Sequence, residues 1–404
     1  MHRVAITGVG IVSCLGSKRA TVTEALRTGR SGIVIDPQRV EMGFRSPLTG
    51  KIEGVNSGIL SRKQRKTMPD FALWAYATAL DALEQAGLSQ AQIANEETGL
   101  IYGCDSSCIA AIEQVDALRA RRETKAIGSG QVFRSMTSSI TMNLNTLLKT
   151  QGACWTLSSA CSSGGHAVGQ AADLIRLGRQ QRIICGAAQE VNWESMCSFD
   201  GLGAFSTRTH DPLGACRPFD ADRDGLVPSG GAASIVLERY DQAQQRGAVI
   251  LGEVLGYGFS SDGAQLSVPT EEGLGRAMRS ALDQSGIAAA EIDYICAHAT
   301  STSMGDAAEA VNIKRLFGDT TPPVSSLKSM TGHELWMSGA SQVVYATLMA
   351  QAGFMAPNIN FVRPCEYTQG LNIIRETLPY APTRVLCNSA GFGGTNSALV
   401  LNYS

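Results

Sequence analysis

Charge is sparse in this 404-residue sequence, and neither sign dominates. Only 17% of residues are Asp, Glu, Lys or Arg, and the formal net charge is −2. That excludes a general nucleic-acid binder and leaves any charge-driven partner to a local patch. No apolar run approaches the roughly 18 residues needed to span a bilayer, so no membrane insertion is expected. The apolar stretch over 4–12 contains glycines and runs on into Ser13-Cys14-Leu15-Gly16 without a small-residue cleavage site. It reads as a buried first strand and not as a signal peptide. Zinc-ligand spacing is also missing: Cys104 and Cys108 form the only close cysteine pair, and no second pair faces them. The eleven cysteines are odd in number and scattered through apolar runs, which excludes a disulfide framework and predicts reduced thiols in a cytoplasmic protein.

What is present is a chain with 44% hydrophobic residues and 43 glycines, the composition of a tightly turned globular protein. It is long enough for two domains or one duplicated one. Apolar strands are expected over 4–12, 98–103, 153–157, 183–187 and 231–237. Helices are expected over 21–28, 69–86 closing at Gly87, 135–149, 162–177, and one ending near Gly247. Residues 33–57 and 190–230 read as loop-rich or irregular. Strands alternating with amphipathic helices predict an α/β architecture. An internal echo divides the chain near residue 248. Ala82-Leu83-Glu84-Gln85-Ala86-Gly87-Leu88 precedes a strand, as does Ala281-Leu282-Asp283-Gln284-Ser285-Gly286-Ile287. Ser159-Ala160-Cys161 with Gly164-Gly165 is matched by Ser389-Ala390-Gly391 with Gly393-Gly394. Two echoes in one order predict duplicated α/β halves, 1–248 and 249–404.

The stretch with most chemistry runs from Trp155 through Cys161 to Gly165. It reads as a short strand, a small-residue turn and a helix, which sets a thiol at the tip of a tight strand-to-helix turn. A helix N-terminus at that point favours the thiolate and predicts a lowered Cys161 pKa. Two of the five histidines, His298 and His333, stand at strand ends in small polar loops. Sites in α/β sheets gather at the carboxyl ends of strands, so the three residues form a Cys–His–His set around one pocket.

Several motifs in one order then carry a family resemblance. They are Val4-x-Ile6-Thr7-Gly8-x-Gly10-x-Val12-Ser13, Ser158-Ser159-Ala160-Cys161, Phe219-Asp220-x-x-Arg223-Asp224-Gly225, and His298-x-Thr300-Ser301-Thr302-x-x-Gly305-Asp306. Lys328-x-Met330-Thr331-Gly332-His333 and Asn388-Ser389-x-Gly391-Phe392-Gly393-Gly394-Thr395-Asn396 complete the set. Over nearly its whole length the chain resembles an elongating β-ketoacyl-acyl-carrier-protein synthase of the type I branch. The resemblance implies a thiolase-like fold, two α/β halves layered αβαβα, and a decarboxylative Claisen condensation. Cys161 would take an acyl group from a phosphopantetheine thioester, and the carbanion from malonyl-carrier protein would attack it. By the same resemblance, the backbone amides of Cys161 and Phe392 form the oxyanion hole. His298 and His333 polarise the malonyl thioester as neutral donors. Lys328 orders the site with Glu309 as its ion-pair partner, Asp306 and Glu309 support it, and Thr300 and Thr302 hold the pantetheine arm. Two basic clusters, Arg62, Lys63, Arg65, Lys66 and Arg119, Arg121, Arg122, Lys125, match the regions where the family docks its acidic carrier protein. No metal or organic cofactor is implied. A dimer is, either with an identical chain or with a chain-length-factor-like homologue.

The departures from the pattern lie around the same pocket. Ala390 stands where a gating phenylalanine is usual, Trp336 replaces a glycine, Leu226 a phenylalanine and Ala299 a glycine. Cys296 and Gln342 replace an asparagine and a glutamate that help bind a structural cation. Altered walls around an intact triad favour a stiff conjugated or aryl-primed chain, as in type II polyketide or aryl-polyene assembly. The alternatives are a housekeeping fatty-acid synthase of the same chemistry and a non-catalytic chain-length-factor-like partner. Thiolase-type exchange on coenzyme A would need a second cysteine at 391–394, and initiating synthases use Cys–His–Asn, against which His333 argues.

Overall fold

The computed structural model describes residues 1–404 except Asn56 and Asp319. Ten strands form the main sheet: β1 (Val4–Val12), β4 (Thr98–Gly103), β5 (Cys154–Leu157), β6 (Arg182–Gln189), β7 (Gly231–Arg239), β8 (Gly252–Ser261), β9 (Tyr294–Cys296), β10 (Val324–Ser325), β11 (Arg384–Gly391) and β12 (Thr395–Asn402). β2 (Ile33–Ile35) and β3 (Leu48–Gly50) pair separately. The order β10-β9-β11-β12-β8-β1-β7-β6-β4-β5 reads as two five-strand sets joined at β8 and β1. In each set three parallel strands are followed by two antiparallel ones, and the β1–β8 seam pairs only Ala5 with Glu253 and Ile6 with Gly252.

Helices cover both faces of each set. Phe71, Ala75 and Ala79 of the helix Asp70–Ala86 and Ile140 and Leu144 of Ser139–Leu148 pack on Leu100, Ile184 and Val236. Ala277, Ala281 and Ile313, from Gly273–Ser285 and Ser303–Phe317, pack on Ile295, Leu386 and Val400. Between the sets lie Ser163–Arg176 and Ser338–Ala352, whose Val168, Ile175, Val343 and Met349 share one core with Ile183 and Ile235 on one side and Val385 and Leu401 on the other. The layers therefore run helix, strand, helix, strand, helix.

Two glycine pairs set the outer spacing. A Cβ on Gly8 or Gly10 would stand 2.0 or 2.1 Å from the carbonyl oxygens of Ala82 and Thr78. On Gly256 or Gly258 it would stand 2.0 Å from those of Ala281 and Ala277. The first sequence echo thus corresponds to equivalent helix-to-strand units. The second does not. Ser389 to Gly391 end β11, whose counterpart by strand order is β6, whereas Cys161 follows β5, whose counterpart is β10.

Pro69 caps the 70–86 helix in extended conformation, and Gly87 closes it at φ 65°. The first helix starts earlier than expected, as Arg19–Thr28, and the 135–149 helix is confined to Ser139–Leu148 with Lys149 in the left-handed region. The segment 190–230 is not wholly irregular: Trp193–Gly201 is a helix, with the Asn192 side chain accepting from Ser195 N at 2.8 Å. Within 33–57 lie β2, β3 and a short helix, Pro37–Glu41, while Asn56 lies outside the described residues. The helix Cys108–Arg121 also has no counterpart among the sequence expectations.

Candidate active site

β5 delivers the chain into a 3₁₀ turn, Ala160–Ser162, and the helix proper begins at Ser163. The Ser163 hydroxyl accepts from Ser159 N at 2.8 Å and donates to Ala160 O at 2.7 Å. From the other half, Thr395 Oγ1 donates to Ser159 O at 3.0 Å and accepts from Ser162 Oγ at 2.9 Å. Cys161 is thereby buried, with its Sγ 3.2 Å from His333 Nε2. The His298 and His333 rings meet edge to face, 5.2 Å apart and at 87°.

Both imidazoles are fixed through their backbones. His333 N donates to Val227 O at 2.7 Å, and its carbonyl accepts from Ser229 N at 2.9 Å. Ser338 Oγ, 3.3 Å from Nδ1, can donate there and leave the His333 proton on Nε2. Glu309 accepts from His298 N at 2.9 Å, Ala299 N at 2.6 Å and Asn388 Nδ2 at 3.0 Å. Asp306 accepts from Thr300 N at 2.9 Å, Ser301 N at 3.1 Å and Phe219 N at 2.7 Å, with Arg223 Nε at 3.8 Å. These two carboxylates hold the 298–301 loop by its amides. Glu309 is thus not an ion-pair partner of Lys328: among the described residues no ion pair to Lys328 forms. Glu309 is engaged by the amides and by Asn388, so its attraction to Lys328 is longer-ranged.

Burial dominates the electrostatics. It lowers both histidines well below their ordinary range, and the Lys328 ammonium lowers them further, so both rings are neutral. It pushes the Cys161 thiol up to about 12, against the opposing pull of Lys328 and of the Cys161 and Phe392 N–H groups. The expected lowered thiol pKa is therefore corrected: the thiol lies in a buried 3₁₀ turn ahead of the helix, and desolvation outweighs the dipole. The Phe392 N–H does act on the same sulfur as the Cys161 N–H, one donor from each half.

A cavity of about 380 Å³ opens at Cys161, His298 and His333 and is lined by Thr300, Thr302, Leu226 and Ala390. Thr300 and Thr302 hydroxyls lie 3.1 Å apart. Trp336 is corrected as a substrate-binding residue. It does not line this cavity but lies buried behind it, in one apolar cluster with Cys161 and Leu226, its ring 6.3 Å from that of Phe199. Phe199, which sequence reasoning missed, also stacks on Phe392 at 6.0 Å and Phe205 at 6.3 Å. The one signal for it was Asn192, a capping residue three positions before Ser195. Gln342, in place of the family's cation-binding glutamate, turns its amide to the carbonyls of Cys296 and Ala297, at 3.2 and 2.9 Å. All eight residues of the two basic clusters are exposed. No helix among the described residues is long and apolar enough to cross a membrane.

Comparison with known proteins gives the family. The beta-ketoacyl synthase N-terminal domain profile matches residues 1–243, and the C-terminal domain profile matches residues 251–362. The 3-oxoacyl-[acyl-carrier-protein] synthase 1 of Haemophilus influenzae is 41% identical over 99% of this chain and 98% of its own. A beta-ketoacyl synthase from Burkholderia phymatum superposes with a TM-score of 0.93 at 33% identity, over 100% of both chains. A structure described as the ishigamide ketosynthase/chain length factor gives 0.92 at 28% identity, covering 100% of this chain and 99% of that one. The chain therefore belongs to the beta-ketoacyl synthase family, as an acyltransferase with the thiolase-like α/β fold.

Proposed function

We propose that the protein elongates acyl chains held on acyl carrier protein, with Cys161 as the acyl acceptor. The observation that carries this is the buried thiol 3.2 Å from His333 Nε2, at the floor of a cavity that also holds His298 and the paired threonines. In the first half-reaction the Cys161 sulfur bonds to the acyl carbon, the pantetheine C–S bond breaks, and the thiol proton leaves with the pantetheine sulfur. The Cys161 and Phe392 N–H groups hold the tetrahedral oxyanion. In the second, malonyl-carrier protein loses CO₂, and the carbanion attacks the acyl-cysteine and frees its sulfur as 3-oxoacyl-carrier protein forms. Neutral His298 and His333 donate to the malonyl thioester oxygen, and burial together with Lys328 keeps them neutral. Thr300 and Thr302 hold the pantetheine arm, while Asp306 and Glu309 keep the loop in place. The reaction uses no metal or organic cofactor. The strand order supports reading 1–248 and 249–404 as two copies of one unit.

The exposed clusters at 62–66 and 119–125 suit an acidic carrier protein. The free edge of β5, with exposed Trp155 and Cys154, suits a dimer, with a second copy or with a chain-length-factor-like homologue. The eleven cysteines, all free, suit a reducing cytoplasm. Phe199 and Phe392 line the same cavity as the methyl group of Ala390, which favours a stiff conjugated or aryl-primed chain and a specialised pathway over housekeeping synthesis. A competition between saturated and polyunsaturated acyl-carrier proteins tests this: preferential extension of the conjugated chain is expected. Preference for the saturated chain would contradict the specialised reading and leave the chemistry standing.

A further inference from the structure

Asp105 lies in the turn after β4, beside the nucleophile turn. β4 and β5 run parallel, with Gly103 opposite Leu157. Its carboxylate accepts a hydrogen bond from the Ser158 hydroxyl; burial raises the Asp105 pKa, and the Ala160 backbone N–H that it faces opposes that rise. Ala160 has φ 44°. A non-glycine residue holds this left-handed conformation only where its surroundings over-determine it, at a cost of about 1–3 kcal/mol. The carboxylate negative charge opposes ionisation of Cys161.

We propose that Asp105 is a positioning residue of the nucleophile turn: it holds Ser158 and Ala160 in place and brings a negative charge to that turn. The groups that face Cys161 fall into two sets. Lys328 and the N–H groups of Cys161 and Phe392 favour the thiolate, whereas Asp105 opposes it. Neutral His333 stands at 3.2 Å with His298 beyond it. Burial opposes ionisation most strongly, and the Asp105 charge adds to it against the lysine. A resting thiol is spared the oxidation that low-pKa thiolates undergo. A sulfur of higher pKa is also the stronger nucleophile once its proton has gone.

Asp105→Asn and Asp105→Ala separate the two roles. Asparagine keeps an acceptor for Ser158 and Ala160 but removes the charge; alanine removes both. Alkylation of Cys161 by iodoacetamide is followed by peptide mass spectrometry across pH, so that exposed Cys154 and Cys197 do not confuse the reading. In D105N the midpoint for Cys161 is expected to fall and its rate at pH 8 to rise by about three- to tenfold, since one pKa unit is tenfold in thiolate. In D105A the chain-extension rate is expected to drop at least about tenfold, with kcat more affected than KM, and D105N to recover most of it. A midpoint unchanged or raised in D105N would overturn the electrostatic role; because lost burial would also lower the midpoint, the shift counts only with an unchanged D105N melting temperature, and a lowered one overturns the electrostatic reading. Full extension by D105A would overturn the positioning role. The inference rests on Cys161 as the acyl acceptor. Acyl loading of the unaltered protein tests that separately, so loading without an alkylation shift overturns this inference alone.

Discussion

At Cys161 burial and the Lys328 charge oppose each other, whereas at His298 and His333 they act together. Lys328 is one of the groups keeping His298 and His333 neutral, so Lys328→Met should let both imidazoles rise back toward the ordinary range. The acid limb of malonyl-carrier-protein decarboxylation should then move to higher pH, which a pH–rate profile reads directly. Glu334 is fully buried, with Ser341 Oγ at 2.5 Å and Tyr345 Oη at 2.6 Å, and burial raises it to about 7. Because its folded pKa lies above the ordinary value, its contribution to stability is present in full below that value and is lost as pH rises through about 7. Melting temperature should accordingly fall between pH 5 and 8, and Glu334→Gln should flatten that fall, by on the order of 3 kcal/mol at most. Cys161, His298 and His333 are legible in the sequence because their turns need small residues at fixed spacing. The Glu309 hydrogen bonds, the Phe199 stack and the Asp105 contact are not, since each joins segments whose juxtaposition only the fold determines.

Among the elements, the helix over 70–86 is readable from its alternation of apolar and small residues and its closing glycine. Its docking distance is set by a feature the sequence shows only as a Gly-x-Gly pattern, repeated in both halves. Gly8→Ala or Gly258→Ala would place a methyl carbon 2.0 Å from a carbonyl oxygen of the facing helix, and neither backbone can yield without separating a layer. Urea unfolding should show a loss of about 3 kcal/mol or more for either variant. Gly128→Ala, with nothing within 4 Å of its Cβ, should change stability little. The helix Cys108–Arg121 escapes sequence reading because only Ala110 is buried in it, while Ile112, Val115 and Leu118 are exposed. Without a core-facing stripe, periodicity has nothing to report. Trp193–Gly201 escapes because the prolines that follow it mark the region as loop.

For the molecule as a whole, the α/β class was legible from alternating strands and helices, and the layering from the resemblance. Strand order was not, since parallel neighbours such as β4 and β6 come from segments about eighty residues apart. The basic clusters belong to this scale. Arg62→Glu with Lys66→Glu should raise KM for the carrier-borne substrate several-fold, and the effect should shrink at high salt, with kcat little changed. Steady-state kinetics at two ionic strengths check it. The central claim is that Cys161 accepts an acyl chain and His298 with His333 drive its extension. Intact-protein and product mass spectrometry of the protein with acyl-carrier protein and malonyl-carrier protein tests it most directly, beside Cys161→Ala. An acyl adduct on Cys161 and a 3-oxoacyl product two carbons longer, both absent in the variant, are the expected result. A folded protein that forms no adduct with any primer, or that extends chains equally well without Cys161, would contradict it.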